Sequence, residues 1–493
     1  MHKTKVSALI ALIVIGLIIS VFPVTVSCEP PEVEGWNLTV DGGSIAGNPD
    51  LVEYVWTTNR TPYGLYDKIA VHRVLRADGE AGEGVVFLLP GTWSSGEQMI
   101  HSRKGGIQYA IPNANRSILL YLATRGFDMY VLDYRTHFVP NTETNLSFML
   151  NWGWDAWMGD IKAAVDLIKT VSGACKIYIG GSSFGGGAAM NYASMYWEED
   201  LKGIILLDPA YCQVAAKRGG ETNSFDLPTA IWYMQYVTKA YSSNSSGGPN
   251  NPIWAYAVFH PEDTATRAYL MYLLNASGAA SPYTYPYSEP AAMFAVMAAM
   301  DPYWPSMLGL ESVAYMDWTS CPYTYDFDDH FIEIDVPVIG FATKRYWVYL
   351  ANTIPGFGEF GEIVDGIANP DFTGVRLAAG YGHLDVFAGT YNREDVNEPT
   401  YQWLISHRML VGSGGLRIDR KWTCGEATIY INATVIDFKV DGVRVPWNIE
   451  DHYANEDIEF YKGKGELGLI RILIYKKYTA ATGPKAFFLG CRV

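Results

Sequence analysis

The stretch IYIGGSSFGGGAA, residues 177–189, decides how this chain is read. Ile177-Tyr178-Ile179 is a β-rich run that meets Gly181-Ser182-Ser183-Phe184-Gly185, a G-x-S-x-G pentapeptide followed by small residues. Strand, tight turn and helix in that order are what a serine nucleophile elbow needs. The strained turn lifts one hydroxyl above the sheet while a helix packs back on the strand. Gly181 and Gly185 flank the serine because side chains there would collide where the two elements approach. Ser183 is the expected nucleophile; Ser182, the x of the motif, is expected to point into the turn. A phosphate-binding loop is the rival reading, and it lacks the Lys-Ser/Thr pair that would follow the glycines.

The flanking sequence alternates. Val52–Thr57 and Lys68–Leu75 have strand character as a leading antiparallel pair, and Gly84–Leu89 (GVVFLL) is an apolar run of strand length. Ser117–Thr124 reads as a helix stopped by Gly126, Met129–Leu132 as a buried strand, and Trp157–Val171 as a helix. Lys176–Ile179 leads into the elbow, Gly187–Trp197 follows as a helix, and Gly203–Leu207 is the next strand. Strands alternating with helices imply right-handed βαβ units and a mostly parallel sheet with helices on both faces. The alternation stops over residues 209–335, which are rich in aromatics and read as a largely helical cap inserted after the sixth strand. It resumes at Val336–Phe341, Val375–Ala378 and a closing helix at 398–410. After Gly412-Ser413-Gly414-Gly415 the pattern turns to period two, so residues 411–493 read as a small all-β module. Residues 29–50 read as a polar linker, and 51–208 with 336–410 as the main domain.

A chain of 493 residues, 49% hydrophobic, is long enough for two or three domains. A net charge of −16 argues against nucleic acid as a partner. His2, Lys3 and Lys5 precede the apolar run Val6–Phe22, and small residues lead on to Val26-Ser27-Cys28. Residues 1–28 therefore read as an export signal, cleaved or of lipoprotein type. The run of 17 residues also suits a retained membrane anchor, and both readings stay open. Seven N-x-S/T sequons and an even count of six cysteines agree with a secreted or extracytoplasmic location. The expected pairs are Cys424 with Cys491 and Cys212 with Cys321, with Cys175 a buried free thiol and Cys28 a lipid site.

The strand ending FLLPGTW, the segment YLATRGFDMYVLDYRTH, the elbow GGSSFGG, the strand IILLDPAY and the terminal GYGHLD stand in an order that resembles the α/β-hydrolase superfamily over roughly residues 50–410. The resemblance implies a Ser-His-acid triad. His383, flanked by Gly380 and Gly382 and C-terminal to the serine, is the expected base, and Asp385 is expected to orient its loop. Of the other histidines, His72 and His407 fall on regular elements, while His101, His137, His260, His330 and His452 fall in loops or outside the core. The superfamily usually places its acid after the penultimate strand, but that position reads Ala342-Thr343-Lys344-Arg345-Tyr346, with no carboxylate. Asp208, at the end of the preceding strand, is the first choice, and Asp365 and Asp371 are the alternatives. Phe184 is expected to supply one oxyanion N–H, and Thr92 or Trp93 the other, with Gly91 letting that backbone approach.

No metal or cofactor signature stands out: there is no HExxH, CxxC pair, EF-hand loop or dinucleotide glycine fingerprint. Asp326-Phe327-Asp328-Asp329-His330 reads as a solvated loop. The expected activity is an exported serine hydrolase, a carboxylesterase or lipase-like enzyme acting on small-molecule or lipid-like esters, and the aromatic cap points to an apolar or bulky substrate. The alternatives are an amidase or peptidase using the same triad, or a cell-surface binding or structural protein on the same fold. The C-terminal module is expected to bind a glycan or cell-surface partner, or to pack on the main domain, and residues 6–22 to tether the chain to a membrane.

Overall fold

A computed structural model of the chain describes residues 31–79, 81–209, 252–276, 279–280, 287–303, 334–343, 372–377 and 380–407, and the backbone of strands between 415 and 492. Val33–Val493 is one compact unit; of Met1–Glu32 only residues 31 and 32 are described. The apolar run 6–22, both expected disulfides and Cys28 fall outside the described residues and side chains. Among the described residues no helix is long and apolar enough to cross a membrane.

Three strands open the unit: β1 (Asn37–Ile45), β2 (Asn48–Asn59) and β3 (Lys68–Arg76), antiparallel neighbours. β4 (Gly84–Leu89) leads through a turn into α1 (Gly96–His101), and the short pair β5 (Arg103–Lys104) and β6 (Ile107–Gln108) follows. Then come α2 (Ile118–Ala123), β7 (Phe127–Asp133), a 3-10 turn at Arg135–Phe138, α3 (Trp154–Ser172), β8 (Ile177–Ser183), α4 (Phe184–Asp200) and β9 (Leu201–Pro209). The described part of the segment after β9 is helical: α5 (Pro252–Phe259), α6 (Thr264–Ala276) and α7 (Pro290–Ala298). β10 (Val338–Ala342), β11 (Phe372–Arg376), α8 (Asp385–Ala388) and α9 (Glu398–His407) follow. Strands β12 (Gly415–Trp422), β13 (Gly425–Asn432), β14 (Val435–Val440) and β15 (Val443–Arg444) form one antiparallel sheet. β16 (Trp447–Ala454), β17 (Ile458–Gly465), β18 (Gly468–Tyr475) and β19 (Lys485–Arg492) form another.

The main sheet has nine strands in the order β1-β2-β3-β7-β4-β8-β9-β10-β11. From β7 to β11 the neighbours run parallel, and β1, β2 and β3 are antiparallel at one side. The mostly parallel sheet with helices on both faces is thus the architecture read from the alternation of segments. Period-two geometry divides each apolar run between two cores. From β4, Val85, Phe87 and Leu89 join Ile177 and Ile179 of β8 on the side of α3 and α4. Val86 and Leu88 join Tyr178, Ile205 and Leu207 on the side of α2 and α9. Trp157, Ile161, Ala164, Val165 and Ile168 form the buried stripe of α3, each large side chain contributing about 1.5–3 kcal/mol by leaving water. Gly173, at φ +70, ends that helix, its N–H returning to the Lys169 carbonyl.

Residues 29–50 are not a linker throughout, because β1 spans most of the second half of that segment. Six of its nine residues are exposed and its pairing with β2 has three register shifts, so an edge strand there carries no apolar alternation to find. Cys175 is a free cysteine, but exposed rather than buried. It sits in the short turn between α3 and β8, outside either core.

Candidate active site

β8 ends and α4 begins at one peptide bond, between Ser183 and Phe184. Ser183 has φ +51 and ψ −125, a strained conformation for a residue with a Cβ. The flanking glycines are required by space. A Cβ on Gly185 would lie 2.1 Å from the Leu89 carbonyl oxygen, and one on Gly181 would lie 2.2 Å from the Gly185 carbonyl carbon. The Ser183 side chain therefore stands at the N-terminus of α4, where the first backbone N–H groups lack helical acceptors and the helix dipole is positive. Phe184 is the first residue of that helix.

Sheet register brings the next group alongside. Ser183 pairs across the parallel sheet with Pro209, the residue after Asp208. Asp208 is fully buried at φ +46, a region asparagine and aspartate tolerate better than most residues. Its Oδ1 accepts the Thr343 backbone N–H at 2.7 Å, and its Oδ2 accepts the Thr343 hydroxyl at 2.9 Å. The same Oδ2 lies 2.7 Å from His383 Nδ1. A carboxylate only accepts, so Nδ1 carries the proton and Nε2 is left as the basic nitrogen. Asp208, the first choice from the sequence, is thus the carboxylate joined to His383. Asp365 and Asp371 fall outside the described residues, as does the 326–330 cluster.

The His383 loop is held from its own side and from the segment between β9 and β10. Asp385 Oδ2 accepts the Gly382 N–H at 2.6 Å, and its Oδ1 accepts the Ser288 hydroxyl at 2.6 Å. The Leu384 N–H donates to the Ala279 carbonyl at 2.7 Å. Asp385 therefore orients the loop, as its spacing suggested.

The loop after β4 forms the opposite wall. A turn closes from Ser94 N–H to the Gly91 carbonyl at 3.1 Å, with Trp93 at φ +59. A Cβ on Gly91 would lie 3.1 Å from the Ser183 Cβ and 3.2 Å from the Ser182 carbonyl oxygen, so the loop backbone rests against the Ser182–Ser183 turn. Thr92 and Trp93 are both half-buried in this turn.

One buried cluster was not legible as a unit. His101 Nε2 lies 2.8 Å from Glu53 Oε2, His72 Nδ1 lies 2.7 Å from Glu53 Oε1, and His72 Nε2 lies 2.7 Å from Asp133 Oδ2. His137 Nδ1 lies 3.0 Å from Asp301 Oδ1, which also accepts from Lys104 Nζ at 3.1 Å. Burial disfavours the His72 charge, but Asp133 and Glu53 outweigh it and carry its pKa up to about 10. Burial likewise raises Glu53 and Glu97, yet hydrogen bonds from His101 and His72, and from His137, bring each down to about 2. His101 lies on α1 rather than in a loop. The available signal was chemical: a histidine inside the apolar run of β3 must find a polar partner. Among the described residues no group of three or more His, Cys, Asp or Glu side chains is arranged to hold a metal ion.

Residues 114–243 match the family model described as serine aminopeptidase, S33. Among solved structures, a protein from Sulfolobus solfataricus described as a "putative lipase" is 37% identical, with a TM-score of 0.62 over 76% of this chain and 100% of that one. A "putative lipase" from Acinetobacter baumannii AYE is 13% identical, with a TM-score of 0.37 over 76% of this chain and 92% of its own. A monoacylglycerol lipase from Paleococcus ferrophilus is 14% identical, with a TM-score of 0.35 over 67% of this chain and 96% of its own. No curated protein matches the chain.

Proposed function

The chain belongs to the α/β-hydrolase superfamily, and on that premise we propose that it is an exported serine hydrolase that cleaves carboxylic esters through Ser183, His383 and Asp208. The observation that carries this reading is the 2.7 Å contact of Asp208 with His383 Nδ1, one residue from the register partner of Ser183. His383 Nε2 takes the Ser183 proton as Oγ attacks the acyl carbonyl. The tetrahedral oxygen receives N–H donors from Phe184 and from the Thr92–Trp93 turn. Nε2 then protonates the departing alcohol, the acyl-enzyme forms, and a water activated by the same nitrogen releases the acid. Asp208 holds the ring in one tautomer and stabilises its cation throughout.

An ester is preferred as substrate because the 37% identical relative is described as a "putative lipase". The family description favours a second reading, cleavage of an amide at a peptide N-terminus. Turnover of p-nitrophenyl esters against aminoacyl p-nitroanilides separates the two. The nucleophile is tested by fluorophosphonate labelling: wild type should label and Ser183→Ala should not. A well-folded wild type that never labels supports a binding protein on this fold instead. Export rests on the apolar run 6–22 and on the exposure of Asn37, Asn59, Asn115 and Asn145, four of the sequon asparagines. Cell fractionation that left the mature chain in the cytoplasm would refute it.

A further inference from the structure

The turn that faces Ser183 is clasped by the cap. The Asp301 backbone N–H donates to the Trp93 carbonyl at 2.6 Å. The Trp93–Ser94 peptide is therefore fixed at both poles, since its N–H already donates to the Gly91 carbonyl at 3.1 Å. Trp93 sits at φ +59, which a residue of that bulk avoids unless its surroundings impose it. Asp301 lies just beyond the last residues of α7 and is fully buried. Its carboxylate ties that backbone to the main domain. Oδ1 accepts from Lys104 Nζ at 3.1 Å and lies 3.0 Å from His137 Nδ1, while Lys104 Nζ also donates to the Met300 carbonyl at 3.1 Å.

The far end of the same turn is anchored by the other arm of the cluster. Asp133 Oδ1 accepts the Gly96 and Glu97 N–H groups at 2.6 and 3.2 Å, where α1 begins. Asp133 is held in turn by His72, and a Cβ on Gly96 would lie 2.8 Å from the His72 ring. His137 Nε2, 3.4 Å from Glu97 Oε2, joins the two arms. The segment from Gly91 to Glu97 is thus gripped on two sides by buried charged groups that do not themselves line the triad.

We propose that Asp301 is a positioning residue for the reaction: its carboxylate anchors the end of the cap, and its backbone N–H holds the Trp93 carbonyl so that the N–H donors of the Gly91–Trp93 turn stay aimed at the oxygen developing above Ser183. This rests on Ser183 being the nucleophile. Substrate binding does not need the donors in perfect aim, but the tetrahedral intermediate does, so the effect belongs in kcat rather than KM.

The test compares full-length wild type, Asp301→Ala and Asp301→Asn in p-nitrophenyl ester kinetics, in fluorophosphonate labelling rate and in thermal melts. Asp301→Ala should lower kcat about 10- to 100-fold with KM within about threefold, and labelling should slow in parallel, because the phosphonyl oxygen occupies the same hole. Asp301→Asn keeps the size and one acceptor for Lys104, so its loss should stay under about tenfold. A folded Asp301→Ala protein whose kcat and labelling rate match wild type overturns the proposal, as does a loss confined to KM. If Asp301→Ala does not fold, Asp301→Asn decides on the same readouts, a loss of about three- to tenfold in kcat and labelling supporting the proposal and no change overturning it. A wild type that does not label removes the nucleophile, and this role with it, which is a different result from normal labelling in the variant.

Discussion

Replacing Asp208 by asparagine tests the acid with little disturbance of the fold. Asparagine tolerates φ +46 as well as aspartate does, and the site can accommodate the amide. The amide oxygen can keep the Thr343 N–H now bound at 2.7 Å, and the NH2 can donate to the Thr343 hydroxyl, which now donates at 2.9 Å and can also accept. Stability should therefore change by no more than about 1 kcal/mol. The imidazole fares differently. The group 2.7 Å from His383 Nδ1 changes from an acceptor to a donor. Nδ1 must then accept, the ring proton moves to Nε2, and no lone pair faces Ser183. The charge that would stabilise the imidazolium is lost as well. Together these should lower kcat by about 10³- to 10⁴-fold, or about 4–5.5 kcal/mol of barrier, with KM nearly unchanged. Asp208→Ala removes the charge without imposing the wrong tautomer, so it should retain more activity than Asp208→Asn, although its backbone is less at ease with positive φ. Steady-state ester hydrolysis with burst titration measures both. Asp208→Asn within tenfold of wild type would refute Asp208 as the acid and pass the role to Asp365 or Asp371; equal losses in the two variants would refute the tautomer argument.

Two glycines near the site should fail in different ways. Gly185→Ala drives a Cβ to 2.1 Å from the Leu89 carbonyl and should destabilise the fold by about 3 kcal/mol or more in urea titrations. Gly91→Ala meets the Ser183 Cβ at 3.1 Å and should lose most activity at a much smaller stability cost; a variant with wild-type activity and stability would show that the loop does not rest on the Ser182–Ser183 turn. Stability should also have a defined pH window. His72 titrates near 10 folded against 6.5 unfolded, so its contribution is complete below 6.5 and is lost as pH rises toward 10. Glu53 and Glu97 titrate near 2 folded against 4.5 unfolded, so theirs is complete above 4.5 and is lost as pH falls toward 2. Thermal melts should peak between about pH 4.5 and 6.5. His72→Gln should flatten the alkaline arm, and an unaltered arm would exclude His72 as a source.

What the sequence disclosed follows from how local each signal is. The elbow is written in adjacent residues, because both the strain at Ser183 and the space at Gly181 and Gly185 arise within one turn. β4, β7, β8 and β9 were visible because both faces of each are buried, which leaves unbroken apolar runs such as Val85–Leu89. β1 was missed because an exposed edge strand needs no such pattern. The His72 cluster was missed because its members come from β2, β3, α1, β7, the 3-10 turn and the residues just after α7, a convergence that exists only after the sheet has set its strand order. The conformation of the turn that carries Thr92 and Trp93 is equally non-local, since the Trp93 carbonyl accepts from the Asp301 N–H, over two hundred positions away.

The missing acid after the penultimate strand has a structural explanation in that order. Neighbouring parallel strands β4, β8, β9 and β10 deliver from their carboxyl ends the Gly91–Trp93 turn, Ser183, Asp208 and Thr343, and His383 follows β11, the next strand. β9 and β10 are in register at Leu207 and Phe341, so Asp208 and Thr343 emerge within one residue of each other. A carboxylate from β10 would start one strand further from Ser183, beside β11. From β9 it starts beside β8, the strand that ends at Ser183, and β10 need only supply donors. Thr343 fits that reduced task, giving one bond from its N–H and one from its hydroxyl to the same carboxylate. Thr343 thus presents a hydroxyl donor where the superfamily usually has a carboxylate. Thr343→Val should cost about tenfold or less in kcat, by loosening Asp208 while leaving its charge in place, whereas a loss as large as that of Asp208→Asn would mean that Thr343 does more than hold the acid.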